Sequence, residues 1–264
     1  MTLLIIYLIV GAFVGLLAGL LGVGGGTVIV PILDITLPMQ HVNNSVVHHM
    51  ALATSMANIM FTSVTSARSH SKRGSVRWDV VKAMTPGLLL GTLGGTFIVS
   101  SIPTVPLKVV FCVFLTYTAF QMILDIKPKG TRHLPGFCGL FLFGSFVGVV
   151  ASFVGIGGGV IIIPFLTMCG LPMINAIGAS AAMGFPIALA GTIGFIYNGW
   201  GHVALPDYSL GFVYLPALAG LVVASMLITP YGVKLSHALP IKTLKRCFGV
   251  LLLVMVARMA YTIL

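Results

Sequence analysis

Long apolar runs alternate with short polar breaks along the whole chain. Eight of them, at 3–21, 46–67, 80–99, 107–124, 134–154, 176–197, 210–229 and 244–264, approach the ~20 residues that a spanning helix needs. The breaks between them are too short to fold separately. The pattern predicts an all-α, polytopic transmembrane protein, multi-pass in the cell membrane. The first run has no basic segment before it and no small-residue cleavage site after it, so it is read as a helix of the mature protein and not as a signal peptide.

The pattern also repeats. Gly22-Val23-Gly24-Gly25-Gly26-Thr27-Val28-Ile29-Val30-Pro31 returns as Gly155-Ile156-Gly157-Gly158-Gly159-Val160-Ile161-Ile162-Ile163-Pro164. Further echoes keep the same order: Leu37-Pro38-Met39 with Leu171-Pro172-Met173, Thr54-Ser55 with Ala179-Ser180, Pro86 with Pro216, and Pro106-Leu107-Lys108 with Pro240-Ile241-Lys242. Apolar composition alone would not place so many echoes in register. The expected division is a first transmembrane repeat at 1–126, a cytoplasmic linker at 127–133 and a second repeat at 134–264. After each glycine motif comes a short apolar segment. The first, 27–38, is 12 residues or about 18 Å of helix, short of the ~30 Å hydrocarbon core. Pro31 and Pro164 would kink these segments. Short, Gly/Pro-interrupted pieces at matching positions of two halves point to a transporter's binding site.

Charge decides how the halves are oriented. If each glycine motif is a turn, so that the helices run in and back out, each half has an odd number of crossings and the repeats are inverted. Arg68, Lys72, Arg73, Arg77, Lys82, Lys127, Lys129, Arg132, Lys234, Lys242, Lys245 and Arg246 then share one side, and only Lys108 and Arg258 oppose them. Four full crossings per half would split the same 14 basic residues nine to five. The positive-inside rule favours the first arrangement, with short broken or re-entrant helices after each GxGGG and both termini outside.

Composition narrows the function classes. The chain is 58% hydrophobic and 7% charged, with a mean hydropathy of +1.12. A soluble domain carries about 25% charged residues. The net charge of +10 is explained by basic loops, so nucleic acid is not an expected partner. Neither a nucleotide-binding loop nor a metal-ligand or nucleophile pattern is present. No cofactor, metal or catalytic residue is assigned, and the chain is read as a non-enzyme whose partners are the bilayer and a small anion.

The anion reading comes from the motif. Half-helices starting at Thr27 and Val160 would aim unpaired N–H groups and positive dipole ends at the protein centre, which suits an anion. Gly24, Gly25, Gly26, Thr27, Gly157, Gly158 and Gly159 are therefore the first candidate substrate site. Thr54, Ser55 and Ser180 are its expected side-chain donors. Ionisable groups at membrane depth are functional candidates, so Asp34, His48 and His49 are assigned a possible coupling role. The competing readings are a helix-end acid near water for Asp34 and interfacial solvation for the histidines. Gly15 and Gly148 are expected to tolerate alanine.

These residues bear a family likeness. GxGGGxxxxP, a Thr/Ser-bearing helix, a basic loop ending Gly74-Ser75-Val76-Arg77-Trp78 and a second GxGGG in mid-chain together resemble the sulfite exporter TauE/SafE family of membrane transporters. The resemblance implies transport of small sulfur-containing anions or organic acids, such as sulfite or sulfoacetate, commonly by export. It carries over to Gly22, Gly24, Gly25, Gly26, Pro31, Thr54 and Ser55, and to Gly155, Gly157, Gly158, Gly159, Pro164 and Ser180. Rival functions are a passive anion channel and, further off, a membrane-embedded enzyme or assembly factor.

Overall fold

The computed structural model describes residues 2–22, 25–40, 42–124, 133–236 and 241–261. Over these the chain is helical apart from one two-residue hairpin, and every long apolar run becomes a helix. The first five helices are α1 (Thr2–Leu21), α2 (Gly26–Thr36), α3 (Val47–Ser71), α4 (Trp78–Ser101) and α5 (Thr104–Leu124). The next five are α6 (Phe137–Val154), α7 (Gly159–Met168), α8 (Met173–Gly199), α9 (Leu215–Ser236) and α10 (Ile241–Tyr261). The hairpin pairs β1 (Ser209–Leu210) with β2 (Val213–Tyr214) just before α9. By length and composition α4, α5, α6, α8 and α9 can each cross a membrane. The short segments are real: α2 has 11 residues and α7 has 10, about 15–17 Å each. Both start one residue earlier than the sequence suggests, at Gly26 and Gly159. Most of the expected linker lies outside the described residues.

Packing repeats with the sequence. α1 lies along α9 and α6 along α4; α3 packs on α9 and α8 on α4; α2 leans on α3 and α7 on α8; α3 and α8 face each other, as do α5 and α10. Matching the first five helices to the second five turns each contact into another contact or into itself.

The α1–α9 and α4–α6 seams are lined by glycine. A Cβ at Gly11 would fall 2.6 Å from the Leu221 carbonyl oxygen, and one at Gly15 would overlap that of Ser225. In the other seam a Cβ at Gly148 would stand 2.6 Å from the Leu88 carbonyl oxygen. Gly15 and Gly148 are thus not the tolerant positions expected of them, because each lets two backbones touch. In lipid, where apolar burial between helices gains little, such close contact is a main source of cohesion. The outward faces are apolar, with Leu90, Val113, Leu142 and Leu227 all more than 60% exposed, as lipid contact requires.

The connections sort into two ends. At one, the Asn175 side-chain amide donates to the Ser75 carbonyl (3.3 Å), joining the start of α8 to the α3–α4 loop. At the other, Thr104 donates to the Ser45 carbonyl and the Tyr214 hydroxyl to Gln40 Oε1 (2.8 Å). That second end gathers the α2–α3, α4–α5 and α8–α9 connections.

Candidate functional site

Each glycine motif uses two residues in the left-handed region, where a side chain is strained. Gly22 (φ +65°) closes α1 by donating to the Ala18 carbonyl (3.1 Å), and Gly155 (φ +64°) closes α6 on Ala151 (2.8 Å). Three residues on, Gly25 (φ +71°) and Gly158 (φ +74°) open the short helices. The Gly25 carbonyl accepts from Val28 and Ile29, and the Gly158 carbonyl from Ile161 and Ile162. The chain therefore reverses twice in the same way. In each case it presents the N-terminal N–H groups of a short helix, which have no partner within that helix.

The two turns meet. A Cβ at Gly26 would overlap the Gly155 carbonyl oxygen, so only glycine permits this approach of one turn to the other. Two serines staple the contact crosswise. The Ser55 hydroxyl on α3 donates to the Gly155 carbonyl (2.8 Å), and the Ser180 hydroxyl on α8 donates to the Gly22 carbonyl (3.2 Å). Beside the turns lies a cavity of about 10 Å³, room for about one water, lined among others by Gly22, Thr62, Ser63, Ser66, Gly157 and Ser180.

The expected site residues fall into place unevenly. Gly25, Gly26, Thr27, Gly157, Gly158 and Gly159 gather at the paired turns and are buried, whereas Gly24 lies outside the described residues. Thr27, in the first turn of α2, is fully buried and its hydroxyl has no hydrogen-bond partner. Its counterpart is Val160, so the two turns are not chemically equal. Thr54 Oγ1 accepts from the Tyr214 backbone N–H (3.0 Å) and ties α3 to the hairpin. Ser55 and Ser180 already spend their protons on glycine carbonyls, so either would have to exchange that bond to donate to a ligand.

Asp34, His48 and His49 sit apart from the turns. The His49 ring stacks on Phe212 (5.3 Å between centroids), and its Nε2 is 3.3 and 3.1 Å from the Val99 and Ile102 carbonyl oxygens. His48 is buried and not solvated, and its Nδ1 lies 2.7 Å from Asp34 Oδ2. Asp34 is itself only 5% exposed. Among the described residues no group of three or more His, Cys, Asp or Glu is placed to hold a metal.

Two features escaped the sequence reading. One is a polar stripe on α3 at Ser55, Asn58, Thr62 and Ser66, all buried and spaced three or four apart, which helical periodicity makes legible. Ser225 of α9 donates to Asn58 Oδ1 (3.0 Å), while Asn58 Nδ2 and Ser66 Oγ have no partner. The other is a clasp in which Gln40 Nε2 donates to the Tyr7 hydroxyl (2.7 Å), Tyr7 to Thr36 (3.2 Å) and Tyr214 to Gln40 Oε1. It joins partners far apart in the chain, and nothing in the sequence pairs them.

Comparison with known proteins agrees with this architecture. The family model described as "Sulfite exporter TauE/SafE" matches residues 7–259. A protein of Haemophilus influenzae named "Probable membrane transporter protein" is 38% identical over 261 residues, covering 98% of both chains. A similarly named protein of Methanocaldococcus jannaschii is 27% identical, covering 93% of this chain and 91% of its own. One of Bacillus subtilis is 25% identical, covering 88% and 89%. No solved structure matches the chain. A doubled glycine turn in an all-α multi-pass frame, matched by the family model over nearly its whole length, places this chain in the TauE/SafE sulfite exporter family of membrane transporters.

Proposed function

We propose that the chain carries small anions across the cell membrane, sulfur-containing ones such as sulfite or sulfoacetate first among them, and that the direction is export. The observation that carries this reading is the meeting of the two glycine turns. The N-terminus of α2 meets the Gly155 end of the second turn there, and a fully buried Thr27 hydroxyl waits without a partner. Positive helix ends and free donors, with no acid among the residues at the turns, favour a negative ligand. Direction and sulfur chemistry follow the family's description.

A carrier fits better than an open pore. The cavity at the turns holds about one water, so an anion enters only when the turns part. In this reading the halves, 1–126 and 134–264, are inverted repeats that rock around a shared midplane site. The exchange of contacts between α1–α9 and α6–α4 supports it.

Thr27→Val tests the site. Valine keeps the shape and removes the orphan hydroxyl. A hydrogen bond to a charged ligand contributes about 1.5–3 kcal/mol, so sulfite or sulfoacetate binding should weaken roughly tenfold to a hundredfold. The empty protein should melt at the same temperature or higher, because a buried unsatisfied group is gone. Unchanged anion affinity across sulfite, sulfoacetate, thiosulfate and carboxylates would place the site elsewhere.

A further inference from the structure

α2 has a second functional end. Its N-terminus builds the glycine turn, and near its C-terminus stands Asp34, seven residues from Thr27 or about 10 Å along the axis. The negative end of a helix dipole disfavours an acid there. Two bases offset it: His48 Nδ1 at 2.7 Å from Oδ2, and Lys108 Nζ at 4.0 Å from Oδ1, beyond hydrogen-bond reach. Asp34 Oδ1 and His48 Nε2 are buried and have no hydrogen-bond partner, and the His48 ring packs edge-on against Phe111 (5.4 Å). A cavity of about 680 Å³ at the end carrying Lys108 is lined by Asp34, Asn44, Ser45, Thr104 and Lys108. A second, of about 230 Å³, brings Asp34 and Arg258 to one wall. Water therefore has room to reach the Asp34 side of the pair.

We infer that Asp34 and His48 form a proton-binding site that couples proton movement to the anion step. This rests on the anion-transport reading. With Asp34 ionised, Nδ1–H donates to Oδ2, and the Nε2 lone pair is left without a partner. A proton adds at Nε2, giving an imidazolium held against the carboxylate, and it leaves from the same atom. Imidazole is the side chain whose charge changes near neutral pH. The charged and titratable groups facing the pair are His49 on α3, Lys108 and Cys112 on α5, and Arg258 on α10. Lys108 and Arg258 oppose a further positive charge there, while Asp34 favours it. Between the two sites Pro31 denies the Thr27 carbonyl its helical partner, so α2 can flex where the proton end joins the anion end. Among the described residues the second half has no matching pair. Thr167 occupies the place of Asp34 and donates internally to the Ile163 and Pro164 carbonyls (3.0 and 2.8 Å). One proton site per chain is the consequence.

The test uses full-length protein in proteoliposomes with radiolabelled sulfoacetate, whose charge stays fixed between about pH 6 and pH 8. Wild type should accumulate the label when a pH gradient is imposed. Asp34→Asn and His48→Gln should lose that accumulation at least tenfold, yet still exchange labelled for unlabelled sulfoacetate at equal pH. Without any substrate, the nitrogen resonances of the neutral His48 ring should show the proton on Nδ1 and Nε2 bare, and Asp34→Asn should remove that preference. Accumulation by Asp34→Asn at the wild-type level, loss of exchange along with accumulation, or the same His48 ring-nitrogen resonances in wild type and Asp34→Asn would each overturn the proton site. If wild type exchanges sulfoacetate but ignores the pH gradient, coupling is wrong and anion transport stands. If it exchanges neither sulfoacetate, sulfite nor thiosulfate, the transport reading fails, and the His48 ring-nitrogen resonances alone decide the proton site.

Discussion

Single glycines in this molecule do two different jobs, and their surroundings separate them. Gly26 keeps the turns in contact, because any Cβ there meets the Gly155 carbonyl oxygen and the Ser55 hydroxyl. Gly94, on the exposed face of α4, has nothing within 4 Å of the corresponding point. Gly26→Ala should cost about 1–3 kcal/mol as an overpacked contact. It should also abolish anion flux by forcing the turns apart. Gly94→Ala should leave flux and melting temperature unchanged or slightly raised. Thermal melts and flux at matched membrane levels make the comparison, and equal behaviour of the two variants would refute it. Valine at Gly25 is a poor probe of the site. The left-handed φ and the Val14 side chain both forbid it, so loss of function there would not separate folding from binding.

At the level of elements, most of the fold was legible in the sequence. The eight long runs, both short helices and the glycine turns all stand where periodicity, proline and glycine put them. Helix existence is a local property, written in runs of apolar residues, and lipid permits little else. What the turns touch was not legible. Ser55 and Ser180 were recognisable as hydroxyls at matching positions, but their carbonyl partners lie 100 and 158 residues away. Asp34 and His48 read separately, each as a possible coupling group, with a helix-end acid and an interfacial histidine as the competing readings. Only the leaning of α2 on α3 makes them a buried pair. The α3 stripe was visible as spacing and gained a partner, Ser225, only once α9 was in place.

For the whole molecule, the two ends gather different charges. Arg68 lies in the last turn of α3 and Lys72, Arg73 and Arg77 in the α3–α4 loop, while the opposite end carries Lys108. The expected orientation sets the basic end in the cytoplasm and both termini, with the α8–α9 connection, outside. Single cysteines at Arg73 and Asp207, labelled by an impermeant reagent in intact cells, should react only at the second position. Labelling of both from the same side would contradict the two-ended arrangement of the loops.

The crosswise staples make neither half self-sufficient. Each serine satisfies a carbonyl of the other half, and a backbone group left unsatisfied away from water costs several kcal/mol. Segments 1–126 and 134–264, expressed separately, should each be degraded or aggregate, and together should assemble and regain flux. A half that is stable as a monomer would show the staples to be dispensable. The serines and the turns they hold must therefore change together: a substitution at Gly155 is judged by Ser55, a hundred residues away in the other half.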